Sequence, residues 1–397
     1  MSTVDNNNSE YNEIIPEIQS WDDLDINPKI LRGIFAYGFE KPSPIQQKAI
    51  KPLVDGRDII AQAQSGTGKT ATFTIGALAN VDTDKNTTQV LVLSPTRELA
   101  GQTAAVFKGI GAMMDGLKVK TFFGGSDIDD RGNVFSNKDV PHVICGCPGR
   151  VFDMMRRDKI TTNTIKIVIL DEADEMLSSG FKDQIYNIFQ YFNKDIQVAL
   201  ISATLPPSVF PIIDKIMRNP VRISVKREML TLEGIKQFYI AVDDDRQKYL
   251  TLKNLFSFLS VSQCIIYCNS VKRVIDLYEA MKEDDFPVCC IHSNMDKRAR
   301  DTAFNDFKTG QSRVLISSNV TARGIDIQQV SIVINFDLPK CVNNYLHRIG
   351  RSGRWGRKGV GINFITRRDI SKIQEIEAHY ACQIVEMPME LNFLNGA

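Results

Sequence analysis

The chain has 397 residues, 43% of them apolar, and its 48 basic and 47 acidic side chains leave a net charge of +1. That length exceeds one ordinary core and predicts about two folded domains, while the near-neutral balance excludes binding of a polyanion by bulk charge, so any nucleic-acid site has to be a local arrangement. Eight cysteines without CxxC spacing predict free thiols in a reducing compartment, and no apolar stretch approaches the length of a membrane span.

Residues 1–20 are polar, lack a basic or apolar leader pattern, and read as a disordered tail. After them, Asn27 and Pro28 look like the N-cap and first residue of a helix. Ile30, Leu31, Ile34 and Phe35 form its apolar face, Gly38 ends the turn, and a second helix follows Ser43-Pro44. From there short β-branched runs alternate with helical patterns, which predicts an α/β fold of mainly parallel sheets with crossover helices. In the first half the expected strands are 58–61, 90–93, 142–144, 167–170 and 198–201. In the second half they are 264–267, 288–291, 314–316, 332–334 and 362–365. Between the halves, a stretch of mixed composition near 225–235 reads as the linker, giving domains at 21–225 and 236–397.

The first chemical motif is Ala63-Gln64-Ser65-Gly66-Thr67-Gly68-Lys69-Thr70, between a short strand and a helical pattern, with Ala63 where the general pattern has glycine. Small residues there let backbone N–H groups approach phosphates, Lys69 can reach the β and γ phosphates, and the Thr70 hydroxyl can ligate Mg2+. Next, the run Ile167 to Leu170 delivers Asp171-Glu172-Ala173-Asp174 at the carboxyl end of a strand, where doubly wound sheets bind ligands. A helix start with acidic first residues would look similar. Beside a phosphate loop, Asp171 becomes the metal partner and Glu172 the candidate general base. Ser202-Ala203-Thr204 ends the following strand, close enough in a parallel sheet to hydrogen-bond Asp174, although Ser and Thr also cap helices.

The second half has no phosphate loop, because Tyr267-Cys268-Asn269-Ser270 leaves its first strand without one. It carries instead a basic segment from His347 to Arg354, in which Arg351 and Arg354 are suited to stabilise charge on a phosphoryl group held by the other half.

Phe39 and Gln46, Ala63 to Thr70, Pro95 to Ala100, Gly124-Gly125, Cys147 to Arg150, Asp171 to Asp174, Ser202 to Thr204, Ala322 to Asp326 and His347 to Arg354 occur in that order. In this set the chain resembles DEAD-box RNA helicases from about residue 21 onward, and within them the eukaryotic initiation factor 4A group with its exon-junction member. The resemblance implies two RecA-like domains closing around ATP, Mg2+ and single-stranded RNA or a short duplex. Phe39 would pack on the adenine, Gln46 read its edge and Asp326 hold the ribose, beside Ser65, Gly66, Thr67, Gly68, Lys69 and Thr70. Asp174, Ser202, Thr204 and His347 would couple the domains. RNA would lie across Pro95, Thr96, Arg97, Gly124, Gly125, Pro148, Gly149 and Arg150 on one side, and Asn269, Arg300, Arg323 and Gly324 on the other.

The resemblance further implies RNA-stimulated ATP hydrolysis with duplex opening in translation initiation. The alternative from another class is an ATP-gated RNA clamp in a larger assembly. A DNA-directed engine differs only in contacts to the 2′-hydroxyl. A monomer with a scaffold protein bridging its domains is expected, cytoplasmic with a nuclear role open. Five positions depart from the family pattern: Trp21 for phenylalanine, Cys147 for threonine, Lys297 for glutamine, and Ser318-Asn319 for Thr-Asp. Cys147 is expected to keep a backbone N–H for a phosphate, and Asn319 loses a charge in the second domain.

Overall fold

The computed structural model describes residues 16–64, 66–124, 139–178, 180–224, 235–258, 263–321, 330–352 and 359–388, without the side chains of Lys297 and Val320. Residues 1–15 of the expected tail, most of the expected linker, and Ser65, Gly125, Arg323, Gly324, Asp326 and Arg354 lie outside the described residues. The end of that tail is ordered: Ile18 is buried in the first core and its N–H donates to Gln47 O at 3.0 Å. Among those described, no helix is long and apolar enough to cross a membrane.

Two seven-stranded sheets follow one another along the chain, and every strand pairing recorded within them is parallel. The first contains β1 (Ile59–Gln62), β2 (Val90–Leu93), β3 (Val119–Phe122), β4 (Val143–Gly146), β5 (Ile167–Asp171), β6 (Gln197–Ser202) and β7 (Val221–Ser224), in the order β3-β4-β2-β5-β6-β1-β7. The second contains β8 (Ile235–Ala241), β9 (Cys264–Tyr267), β10 (Val288–Ile291), β11 (Val314–Ser317), β12 (Ile332–Asn335), β13 (Gly359–Ile365) and β14 (Val385–Glu386), in the order β10-β11-β9-β12-β13-β8-β14.

Period-two alternation sends the central strands' side chains into two cores. Ile59, Ala61, Val90, Val92, Ile167, Ile169, Ala199 and Ile201 pack on one face of the first sheet. Ile60, Leu91, Leu93, Val168, Leu170, Val198 and Leu200 pack on the other. The second sheet divides the same way, with Ile265, Leu315 and Val333 opposite Ile266, Val314, Ile316 and Ile334. Strands buried on both faces read as continuous apolar runs, and each fully buried aliphatic side chain contributes roughly 1.5–3 kcal/mol.

Register places the chemistry. Gln62 pairs with Ser202 and Asp171 with Ile201, so the carboxyl ends of β1, β5 and β6 lie side by side. The loop after Gln62, the acidic turn after Leu170 and the Ser202 segment therefore converge on one edge of the first sheet. In the second sheet Ser317 and Asn335 both pair with Tyr267, bringing the loops after β9, β11 and β12 together. Upstream, the helix Pro28–Ala36 is capped by Asn27, whose side chain accepts from Lys29 N–H at 2.9 Å. Gly38 turns the chain at φ +98° toward Phe39, a conformation that side chains other than glycine rarely adopt.

Candidate nucleotide and nucleic-acid site

The loop between β1 and the helix Lys69–Ala79 turns through Gly66 at φ 84° and Gly68 at φ 94°. Lys69 is buried, and its Nζ donates to Ala63 O at 2.8 Å, so the ammonium sits at the centre of the loop. The Thr67 hydroxyl donates to Gln64 O at 2.7 Å, tightening the same turn. A Cβ at Gly68 would stand 2.7 Å from Gln46 Nε2, so that glycine lets the upstream helix Pro44–Val54 approach. That helix is stitched on by Ser43, whose hydroxyl donates to Thr67 O at 2.8 Å.

The Gln46 amide is engaged within the protein: its Oε1 accepts from Ser43 N–H at 2.7 Å and its Nε2 donates to Gly68 O at 3.5 Å. One N–H and one lone pair stay available for a base edge. Phe39 is half-buried, its ring 5.3 Å from Tyr37 and 6.5 Å from Trp21. The Trp21 indole N–H also donates to Phe39 O at 3.1 Å, a hydrogen bond that a phenylalanine there would lack.

Asp171 ends β5, and Glu172 adopts φ +53°, a left-handed conformation that a non-glycine residue holds only under constraint. Glu172 N–H donates to Asp171 Oδ1 at 3.0 Å, whereas Asp171 Oδ2 is buried without a hydrogen-bond partner. Burial first, and the Glu172 carboxylate second, hold the Asp171 carboxyl above the usual carboxylate range. An orphaned, buried carboxylate oxygen that feels the charge of Lys69, with the Thr70 hydroxyl next in sequence, offers hard oxygen donors, so the residues present fit Mg2+.

Asp174 gathers groups from both domains. Ser202 Oγ donates to its Oδ1 at 2.8 Å and Thr204 Oγ1 to its Oδ2 at 2.7 Å, so these hydroxyls hold Asp174 and do not cap the helical segments that follow them. From the second domain, His347 Nε2 stands 3.2 Å from Asp174 Oδ2, and His347 Nδ1 lies 3.8 Å from Glu172 Oε2. Arg351 follows on the same segment, buried, with its Nε donating to His347 O at 3.1 Å.

The nucleic-acid residues expected in the first domain cluster around two helix starts. The Thr96 hydroxyl accepts from Leu99 N–H at the head of the helix Arg97–Ile110, and Pro148 opens the helix Pro148–Arg156. Pro95 lies just before the first of these, on the loop leaving β2. Arg97 lies beside Gly124, Gly149 beside Gln184, and Arg150 pairs with Asp153 at 3.2 Å. One expectation changes. Cys147 N–H donates to Phe122 O at 2.9 Å, extending the β3–β4 pairing, so it is not offered to a phosphate. Burial pushes its thiol up to about 12.

Asn269, expected on the strand's path, is drawn inward: its Nδ2 donates to Leu338 O at 2.7 Å and its Oδ1 accepts from Arg348 at 2.8 Å. Arg300 pairs with Glu98 across the two domains at 2.9 Å.

Sequence reasoning gave no role to Arg348, which is fully buried with every N–H engaged. Its Nε and Nη2 donate to Asn319 Oδ1 at 2.9 and 2.6 Å, its Nη1 to Asn335 Oδ1 at 3.2 Å and Asp337 O at 2.7 Å. Its guanidinium also lies 5.2 Å over the Tyr267 ring. Desolvation pushes it down to about 10. The available signal was helical spacing: His347 and Arg351 share a face at i, i+4, and Arg348 must point elsewhere.

The family model for DEAD/DEAH box helicases matches residues 43–211, and that for the helicase conserved C-terminal domain matches residues 247–356. The chain belongs to the DEAD-box helicase family. It is 51% identical over 377 residues to the ATP-dependent RNA helicase eIF4A of Debaryomyces hansenii, covering 95% of this chain and 94% of that protein. To eukaryotic initiation factor 4A of Caenorhabditis elegans it is 50% identical over 372 residues, covering 94% and 92%. Among solved structures, S. cerevisiae Dbp5 bound to RNA and ADP BeF3 superposes with a TM-score of 0.88 at 34% identity, covering 94% of this DEAD-box chain and 96% of that one. One superposition spanning both domains at that score requires a similar arrangement of the two sheets.

Proposed function

We propose that the protein is an ATP-dependent RNA helicase of the eukaryotic initiation factor 4A group, hydrolysing ATP at a site completed only when its two domains close. The observation that carries this reading is the meeting of Asp174 and Glu172 of the first domain with His347 of the second. Relatives named as ATP-dependent RNA helicase and initiation factor, and a structural neighbour described as bound to RNA and ADP BeF3, support it.

In this reading the phosphates lie on the N–H groups of the loop from Gly66 to Lys69, with the Lys69 ammonium moving from Ala63 O to the β and γ oxygens. The Thr70 hydroxyl and Asp171 would hold Mg2+, which when bound neutralises charge on those oxygens. Glu172, fixed in its left-handed turn, orients the attacking water and accepts its proton. Arg351, with Arg354 beyond the described residues, supplies positive charge to the transferring group. Phe39 and the free valences of Gln46 hold the adenine, and Asp326 the ribose.

On the same carboxyl edge, after β2 and β4, the N-termini of the helices Arg97–Ile110 and Pro148–Arg156 present positive dipole ends to phosphates. Such contacts do not read base edges, so binding is independent of sequence. The protein acts as a single chain on single-stranded RNA or a short duplex, with a scaffold protein bridging the domains.

The test is steady-state ATP turnover of the full chain alone, with single-stranded RNA, and with single-stranded DNA of the same sequence. Stimulation at least tenfold by RNA and not by DNA is expected. Equal rates in all three overturn the proposal, and equal stimulation by DNA redirects it to a different nucleic acid.

A further inference from the structure

Besides the contacts of His347, an ion pair joins the two domains. Glu98, in the first turn of the helix Arg97–Ile110, meets Arg300, in the first turn of the helix Lys297–Lys308. Arg300 Nη2 and Glu98 Oε1 are 2.9 Å apart, with side chains 8% and 11% exposed. The pair is singly bonded: Glu98 Oε2 and Arg300 Nε are buried without hydrogen-bond partners. Around it lie Arg97, beside Gly124, and Cys147, whose thiol senses the charges of Glu98, Arg97 and Arg300. The pair therefore sits among the helix starts read above as the RNA face.

A carboxylate is out of place on a surface that receives a polyanion. In the closed arrangement Arg300 neutralises it. Whenever the domains separate, Glu98 keeps its charge on the first domain while Arg300 leaves with the second, and phosphates on that face meet an uncompensated negative group.

We propose that Glu98 is an electrostatic gate: it opposes RNA binding to the open protein, and only closure, which brings Arg300 onto it, removes the opposition. This deepens the helicase reading and rests on it. Because coupling is reciprocal, a gate that makes RNA prefer the closed form also makes RNA favour closure on ATP.

The experiment compares the RNA affinity of the full chain without nucleotide and with a non-hydrolysable ATP analogue, for wild type, Glu98→Gln, Arg300→Glu and the swap Glu98→Arg with Arg300→Glu. If wild type itself shows no nucleotide-dependent affinity, the helicase reading fails before the gate is reached. Given that dependence, Glu98→Gln is expected to bind RNA at least threefold tighter without nucleotide and to lose at least fivefold of the affinity ratio between the two states. Arg300→Glu weakens binding in the analogue-bound state at least tenfold, and the swap recovers most of that loss. Glu98→Gln weakening RNA equally in both states, or leaving the ratio unchanged, overturns the gate. So does a swap no better than Arg300→Glu at an unchanged melting temperature.

Discussion

His347 Nε2 stands 3.2 Å from Asp174 Oδ2, and that carboxylate already accepts the Ser202 and Thr204 hydroxyls. One buried side chain thus ties the end of β6, the acidic turn after β5 and the second domain into a single hydrogen-bonded cluster. Because the groups act as a unit, removing any one leaves its partners unsatisfied.

Single variants Asp174→Asn and His347→Ala are each expected to lower RNA-stimulated turnover at least tenfold, about 1.4 kcal/mol in the transition state. The double variant should lose little more than either alone, since both break one contact. A double-variant cycle on kcat/KM checks this, and additive losses would place the two residues in separate roles.

Asp171 exchanges stability for function. Its carboxylate is buried against Glu172 with one oxygen unsatisfied. Asp171→Asn removes the charge repulsion and should raise the melting temperature of the metal-free chain by a few degrees, about 1–2 kcal/mol, while Mg2+-dependent turnover falls to background. Calorimetry beside a phosphate-release assay tests both halves. A variant that melts lower would show that the carboxylate is compensated.

The Arg348 guanidinium is held by the neutral oxygens of Asn319, Asn335, Asn269 and the Asp337 backbone. Asn319→Asp supplies a carboxylate to two of its N–H groups, and charge-assisted hydrogen bonds are about twice as strong as neutral ones. The expected gain is about 1–3 kcal/mol in chemical unfolding, and Arg348→Lys should lose more than that by emptying the fork. A destabilised Asn319→Asp would mean that its second oxygen meets another acceptor.

The central strands were legible because burial on both faces demands continuous apolar runs, as in Val90–Leu93 and Ile167–Leu170. The strands that escaped were β3, β7, β8 and β14. Three of them are sheet edges and β8 neighbours one. Edge strands alternate, as β7 does with Val221 and Ile223 buried and Arg222 and Ser224 exposed, and four alternating residues do not stand out from a loop. Local motifs such as Gly66 to Thr70 and Asp171 to Asp174 announce themselves because their geometry is built from neighbours in sequence. Cys147, Glu98 and Arg348 were misread or passed over because their partners come from other strands or the other domain. No spacing in the chain encodes that Phe122 O takes the Cys147 N–H, or that Arg300 reaches Glu98.

In the proposed reaction Glu172 acts in a site that RNA helps to close. Phosphate release by the full chain, with and without saturating single-stranded RNA, measured side by side for wild type and Glu172→Gln, tests that most directly. The prediction is at least tenfold stimulation of wild type by RNA, and turnover of the variant at least a hundredfold lower although it still binds ATP and RNA. A Glu172→Gln protein that hydrolyses ATP at the wild-type rate in the presence of RNA would contradict it.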